Sequence, residues 1–84
     1  MLKQITKHIA LAEYFYQLSK QIPIESEQHE QIKILLNKAD WHLTHAAKMV
    51  HHRLSRPLRR RGFLLMFKIN RAQISYNAKV YRQL

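Results

Sequence analysis

Residues 2–21 carry apolar side chains at two interleaved helical spacings, and nothing else in the chain restricts its fold as strongly. Leu2, Ile5, Ile9, Ala12 and Tyr16 recur at intervals of three and four, and Leu11, Phe15, Leu18 and Ile22 form a second stripe beside them. Residues three and four apart share a helix face, so this segment predicts an amphipathic helix with an apolar surface too broad for one neighbour. Such a helix either sits centrally in a small bundle or packs one stripe inside the protomer and the other across a dimer axis. The length of 84 residues favours the second arrangement. A domain of this size buries only about 60–65% of the surface its unfolded chain exposes, and a partner copy extends the core. A homodimer is expected, with Leu11, Phe15 and Leu18 at the interface.

Pro23 ends this helix because its ring removes an amide donor and crowds the preceding turn. Ser26 and the acids Glu25, Glu27 and Glu30 then mark the start of a second helix, where carboxylates suit the positive end of the macrodipole. That role explains the acids better than a catalytic pair. Ile32, Leu35, Leu36, Ala39 and Leu43 give the inner face. Asp40-Trp41-His42-Leu43 reads as a turn, after which Thr44 caps a short helix to about His51, with Ala46 and Ala47 in its first turn and Met49 and Val50 on its buried side. Ser55 and Pro57 open a further segment that Gly62, the only glycine, closes. The run "FLLMFKI" at 63–69 fits a buried helical turn or a strand. Asn70 then caps a last helix with Ile74, Ala78 and Tyr81 on one face. The expected fold is a single all-α domain over residues 1–84, of about four to five helices. Residues 1–38 supply its dimerisation helices and 39–84 its basic part.

Charge divides the chain more sharply than hydropathy does. From Met1 to His42, five lysines are matched by five acids; from Leu43 to Leu84 there are three lysines, seven arginines and no acid, so the whole net charge of +10 lies in the second half. A one-sided excess of this kind repels itself unless an anion is present, and nucleic acid is the commonest such partner. An acidic protein is an alternative, and so is an anionic membrane surface. No cysteine is present, so neither disulfides nor thiolate metal sites are available. The amino-terminal residues read as ordinary helix rather than as a leader, and "FLLMF" at 63–67 is too short to span a bilayer. A cytoplasmic setting without membrane association is expected.

The stretch "ILLNKADWHLTHAAKMV" at 34–50 resembles the start of a Fis-type helix-turn-helix, the domain of Fis and of the carboxy-terminal ends of NtrC/NifA-type activators. Thr44, Ala46 and Ala47 match a Thr-x-Ala-Ala pattern, and Trp41 stands just before it. "INRAQISY" at 69–76 is similar to the recognition-helix segment of the NifA-type members. In that family a tight glycine-containing turn separates these pieces, whereas here "HHRLSRPLRRRGFLLMFK" (51–68) intervenes. Either 55–61 or 70–82 is then the recognition helix. The second is preferred, since a helix with Pro57 near its start and Gly62 near its end has few turns with which to fill a groove. The resemblance implies a stand-alone module, a dimerisation helix without an attached ATPase or receiver domain.

A helix-turn-helix lays its second helix in the major groove, where arginine pairs with guanine and glutamine or asparagine with adenine. The candidate DNA-binding residues are Lys48, Arg53, Arg56, Arg59, Arg60, Arg61, Arg71, Gln73, Asn77 and Lys79. Arg71, Gln73 and Asn77 would read bases; Lys48, Arg53 and Arg59 to Arg61 would hold phosphates. The expected function is that of a small DNA-binding transcriptional regulator or nucleoid-type architectural factor, with duplex DNA as partner. RNA or ribosome association, or an adaptor role on an acidic protein, are the alternatives. The six histidines suggest a metal, but His42 and His45 lack two further ligands and His51 and His52 point to adjacent sides of a helix end. Neither metal nor cofactor is expected. No nucleophile elbow or glycine-rich phosphate loop marks an enzyme. Tyr14, Phe15, Trp41 and Tyr81 read as core or interface residues, and Tyr76 as either core or a base-stacking platform.

Overall fold

The computed structural model describes residues 2–48 and 56–83 and folds them into three helices. α1 spans Leu2–Lys20, α2 spans Glu30–Lys48 and α3 spans Arg56–Gln83, with no strand among the described residues. No helix among them is long and apolar enough to cross a membrane. The fold is all-α, as the periodicity requires, but with fewer and longer helices than the turn signals suggest.

α1 and α2 form an antiparallel pair closed by a short connection. Gln21 donates to the Leu18 carbonyl at 3.1 Å as α1 ends ahead of Pro23, and Ser26 donates to the Pro23 carbonyl at 3.1 Å. The Ser26 hydroxyl accepts the Gln28 amide at 2.8 Å, but this opens a turn over 27–29; α2 begins at Glu30, so Ser26 is not its cap and, of the three acids expected in its first turns, only Glu30 lies there. Ile5, Ile9, Ala12 and Tyr16 of α1 are buried against Ile32, Leu36, Ala39, Leu43 and Ala46 of α2. Ala12 and Ala39 have no exposed surface; two side chains this small let the helix axes approach closely. Ser19, the one buried polar residue among those described, donates to the Tyr16 carbonyl at 2.6 Å and so satisfies its hydroxyl within the helix.

Three expected breaks are absent. Asp40 to Leu43 is not a turn: α2 runs through it without interruption. Ala39, Leu43 and Ala46 continue the core spacing across that point, and neighbours one turn apart support each other. The Thr44 hydroxyl donates to Asp40 at 3.3 Å, and the His45 ring stacks on Trp41 at 3.8 Å between centroids. Thr44 is therefore not a cap. Gly62 does not end a helix either, and Asn70 does not start one, because both lie inside α3. Leu58, Leu65, Ile69, Ala72, Tyr76 and Val80 hold a helical period through both residues and face the core. A Cβ at Gly62 would meet Ile9 at 3.6 Å and Leu43 at 4.0 Å, which places the glycine where α3 crosses the other two helices. "FLLMFKI" is helical. Residues 56–61 and 70–82, the two rival recognition helices, are parts of one helix, while Met49, Val50, His51, His52 and Ser55 lie outside the described residues.

The buried face of α3 also differs from expectation. Ile74 and Tyr81 are exposed and Ala78 faces solvent, whereas Tyr76 is buried and its hydroxyl lies 3.2 Å from His29 Nδ1. Tyr14 and Trp41 are exposed as well, so of the four aromatics assigned to core or interface only Phe15 is half-buried.

Candidate nucleic-acid interface

α3 carries eight cations and no acid. A residue advances about 100° around a helix, so positions eleven apart return to nearly the same line after three turns, about 16 Å farther along. Arg60, Arg71 and Arg82 have this spacing, and so do Lys68 and Lys79 on the adjacent line. All five are exposed. They form one cationic stripe along the helix, running about 33 Å from Arg60 to Arg82.

The remaining predicted DNA-binding residues fall elsewhere. Arg61 is engaged within the protomer: its Nη2 and Nε donate to Glu13 Oε2 of α1 at 2.6 and 3.2 Å. Of the arginine triplet, then, one member is already neutralised. Arg56 and Arg59 are exposed in the first turns of α3, Lys48 is exposed in the last turn of α2, and Arg53 lies outside the described residues. Gln73 and Asn77 do not share the face of Arg71. Gln73 donates to Asn37 of α2 at 3.5 Å, and Asn77 borders the groove between α2 and α3 with Lys33 and Asn37. Residues two apart on a helix point about 160° from one another, so Arg71 and Gln73 cannot read the same groove from α3. The candidate dimer residues Leu11, Phe15 and Leu18 are each half-buried; Phe15 stacks on His42 of α2 at 5.6 Å between centroids, with Lys38 over its ring.

A cluster of imidazoles joins α1 to α2. His8 Nδ1 lies 3.0 Å from His42 Nδ1, and the His45 ring is 5.8 Å from that of His8. Burial lowers the pKa of His42, and the neighbouring His8 and His45 lower it further. The rings tilt and stack on one another and on Trp41 rather than converging on a point, and among the described residues no group of three or more His, Asp or Glu side chains is placed to hold a metal ion. Sequence spacing connects His42 with His45 but gives no signal for His8, which reaches them only because α1 folds back along α2.

The described residues form three helices, the longest of which carries an exposed cationic face and no acid of its own. Comparison with protein-family models, with curated proteins and with solved structures gives no match for this chain.

Proposed function

We propose that this protein binds double-stranded DNA through the cationic stripe of α3 and serves as a small regulator or architectural factor. The observation that supports this reading is the alignment of Arg60, Lys68, Arg71, Lys79 and Arg82 on one exposed face of a helix that has no acid. Aligned like charges destabilise an isolated protein and are relieved by a polyanion, which releases its own counterions on binding. Arginines recurring about every 16 Å along one helix suit a regular row of phosphates better than the irregular surface of an acidic protein. Arg56, Arg59 and Arg60, beside Arg61 already held by Glu13, also oppose the positive end of the α3 macrodipole, an arrangement that phosphate groups compensate.

The docking differs from that of a helix-turn-helix. α2 supplies no break at 40–43, Gln73 is tied to Asn37 of α2 and Asn77 lies off the face of Arg71, so Arg71 is the one expected base reader on the cationic face. Backbone contacts of this type discriminate through groove shape and deformability more than through base edges. Among the two roles, the architectural one gains weight.

A salt titration of binding to a fluorescent duplex tests the reading. The logarithm of affinity should fall linearly with the logarithm of salt at roughly −0.9 per phosphate contact, and the triple substitution Arg60→Gln, Arg71→Gln, Arg82→Gln should reduce that slope by about 2.7. Affinity that ignores salt, or a triple variant that binds like the parent, refutes it. Stronger competition by structured RNA than by duplex DNA would transfer the assignment to RNA.

A further inference from the structure

α3 has a second exposed line, on the flank away from Lys68 and Lys79. Phe63, Phe67, Asn70, Ile74, Asn77 and Tyr81 follow one another at four, three, four, three and four residues, and all six are exposed. Phe63 is 74%, Phe67 61%, Ile74 71% and Tyr81 81% exposed, although each is a large apolar residue. Alternating steps of three and four are the spacing of a heptad seam, the pattern by which one helix packs along another. The positions beside the seam, Met66, Gln73 and Val80 on one side and Leu64, Arg71 and Ala78 on the other, carry a single charge, so the cationic stripe does not obstruct it.

We propose that this seam pairs, parallel and in register, with the same seam of a second copy of the chain. Area supports the occupant. The four large side chains, at the exposures given, bury roughly 500 Å² per copy and so about 1,000 Å² in the pair, which reaches the lower bound for specific association. Ile34 of α2, exposed beside Tyr81 in the groove between the two helices, extends the same surface. The asparagines decide the partner and its direction. Asn70 and Asn77 stand seven apart and hold the same place in the repeat, so a parallel copy brings each amide opposite its own counterpart, where one NH₂ donates to the other carbonyl. The spacing reads the same backwards, so an antiparallel copy also fits sterically, but it sets Asn77 against Phe67 and Asn70 against Ile74. Every seam amide is then desolvated without a partner. Arg56 and Arg60 occupy the next two seam positions toward the amino end, where charge repulsion ends the contact and makes the two copies diverge. This pairing rests on the apolar seam and its asparagines, not on the nucleic-acid reading.

Sedimentation velocity and an engineered cross-link test the proposal on the full chain. The protein should sediment with the mass of two chains at tens of micromolar, and Phe67→Glu with Ile74→Glu should weaken self-association at least tenfold while circular dichroism shows unchanged helix, both sites being exposed. The chain has no cysteine, so Tyr81→Cys alone should give a covalent dimer under mild oxidation. A monomer across the concentration range overturns the proposal, as does a dimer that survives the glutamate pair. Cross-linking of Tyr81→Cys only to Phe63→Cys, never to itself, overturns the parallel register. Loss of duplex binding with an intact dimer would count against the nucleic-acid reading alone.

Discussion

His8 of α1 and His42 of α2 meet with their Nδ1 atoms 3.0 Å apart, a contact that requires one ring to donate and the other to accept. Two protonated imidazoles would both present N–H there. Burial, His8 and His45 all hold the pKa of folded His42 below its ordinary value of 6.5, so the unfolded chain binds that proton more tightly. The contact's contribution is complete above the ordinary value and declines as pH falls below it, until the folded ring titrates too. Thermal unfolding followed between about pH 8 and about pH 5 should show a falling midpoint. His42→Gln should flatten that dependence; an equally steep curve in the variant would exclude His42 as its source.

Gly62 interrupts nothing and has ordinary space around it. The Cβ of Gly62→Ala would sit at van der Waals distance from Ile9 and Leu43, and no described glycine has positive φ. Replacing glycine by alanine inside a helix contributes about 0.5–1 kcal/mol, so the variant should be more stable by that amount in urea denaturation. A loss of stability would mean that the crossing of α3 over α1 and α2 is tighter than these distances indicate.

Leu36 is 1% exposed and is among the largest fully buried side chains. Truncation to alanine leaves a cavity between α1, α2 and α3 and should cost about 2–5 kcal/mol. In a domain this small that is a large share of the total stability, so Leu36→Ala should be partly unfolded at 37 °C, or about body temperature, by circular dichroism. Gln31→Ala, at an exposed position of the same helix, should change stability by less than about 0.5 kcal/mol.

Glu13 holds Arg61 against α1, with both side chains about half exposed. An ion pair in that setting contributes at most about 1 kcal/mol. Glu13→Gln should therefore leave the fold intact while freeing a guanidinium beside the cationic stripe. Duplex affinity at low salt should rise and its salt slope should steepen by up to about 0.9, the value for one added phosphate contact. An unchanged slope would show that Arg61 stays out of reach of the ligand.

The sequence by itself determined the helical class, the inward stripe of α1 and most of the inner face of α2. Each rests on apolar spacing repeated over several turns, and each repeat adds burial energy of the same sign. It also determined the charge division, since composition does not depend on folding. What only the tertiary structure decided was where helices end and which way α3 faces. Asp40-Trp41-His42-Leu43, Gly62 and Asn70 carry real local signals for a turn, a stop and a cap, but such preferences amount to about 1 kcal/mol each. Ala39, Leu43 and Ala46 across the first, and Leu58, Leu65 and Ile69 around the second, bury enough surface against α1 and α2 to outweigh them. The same packing turned Tyr76 inward and Ile74 outward and tied Gln73 to Asn37, so residues adjacent in the expected recognition segment were sent to opposite sides of one helix. A preference between two faces of comparable hydrophobicity depends on which one the neighbouring helices cover, and that information lies in residues far away along the chain.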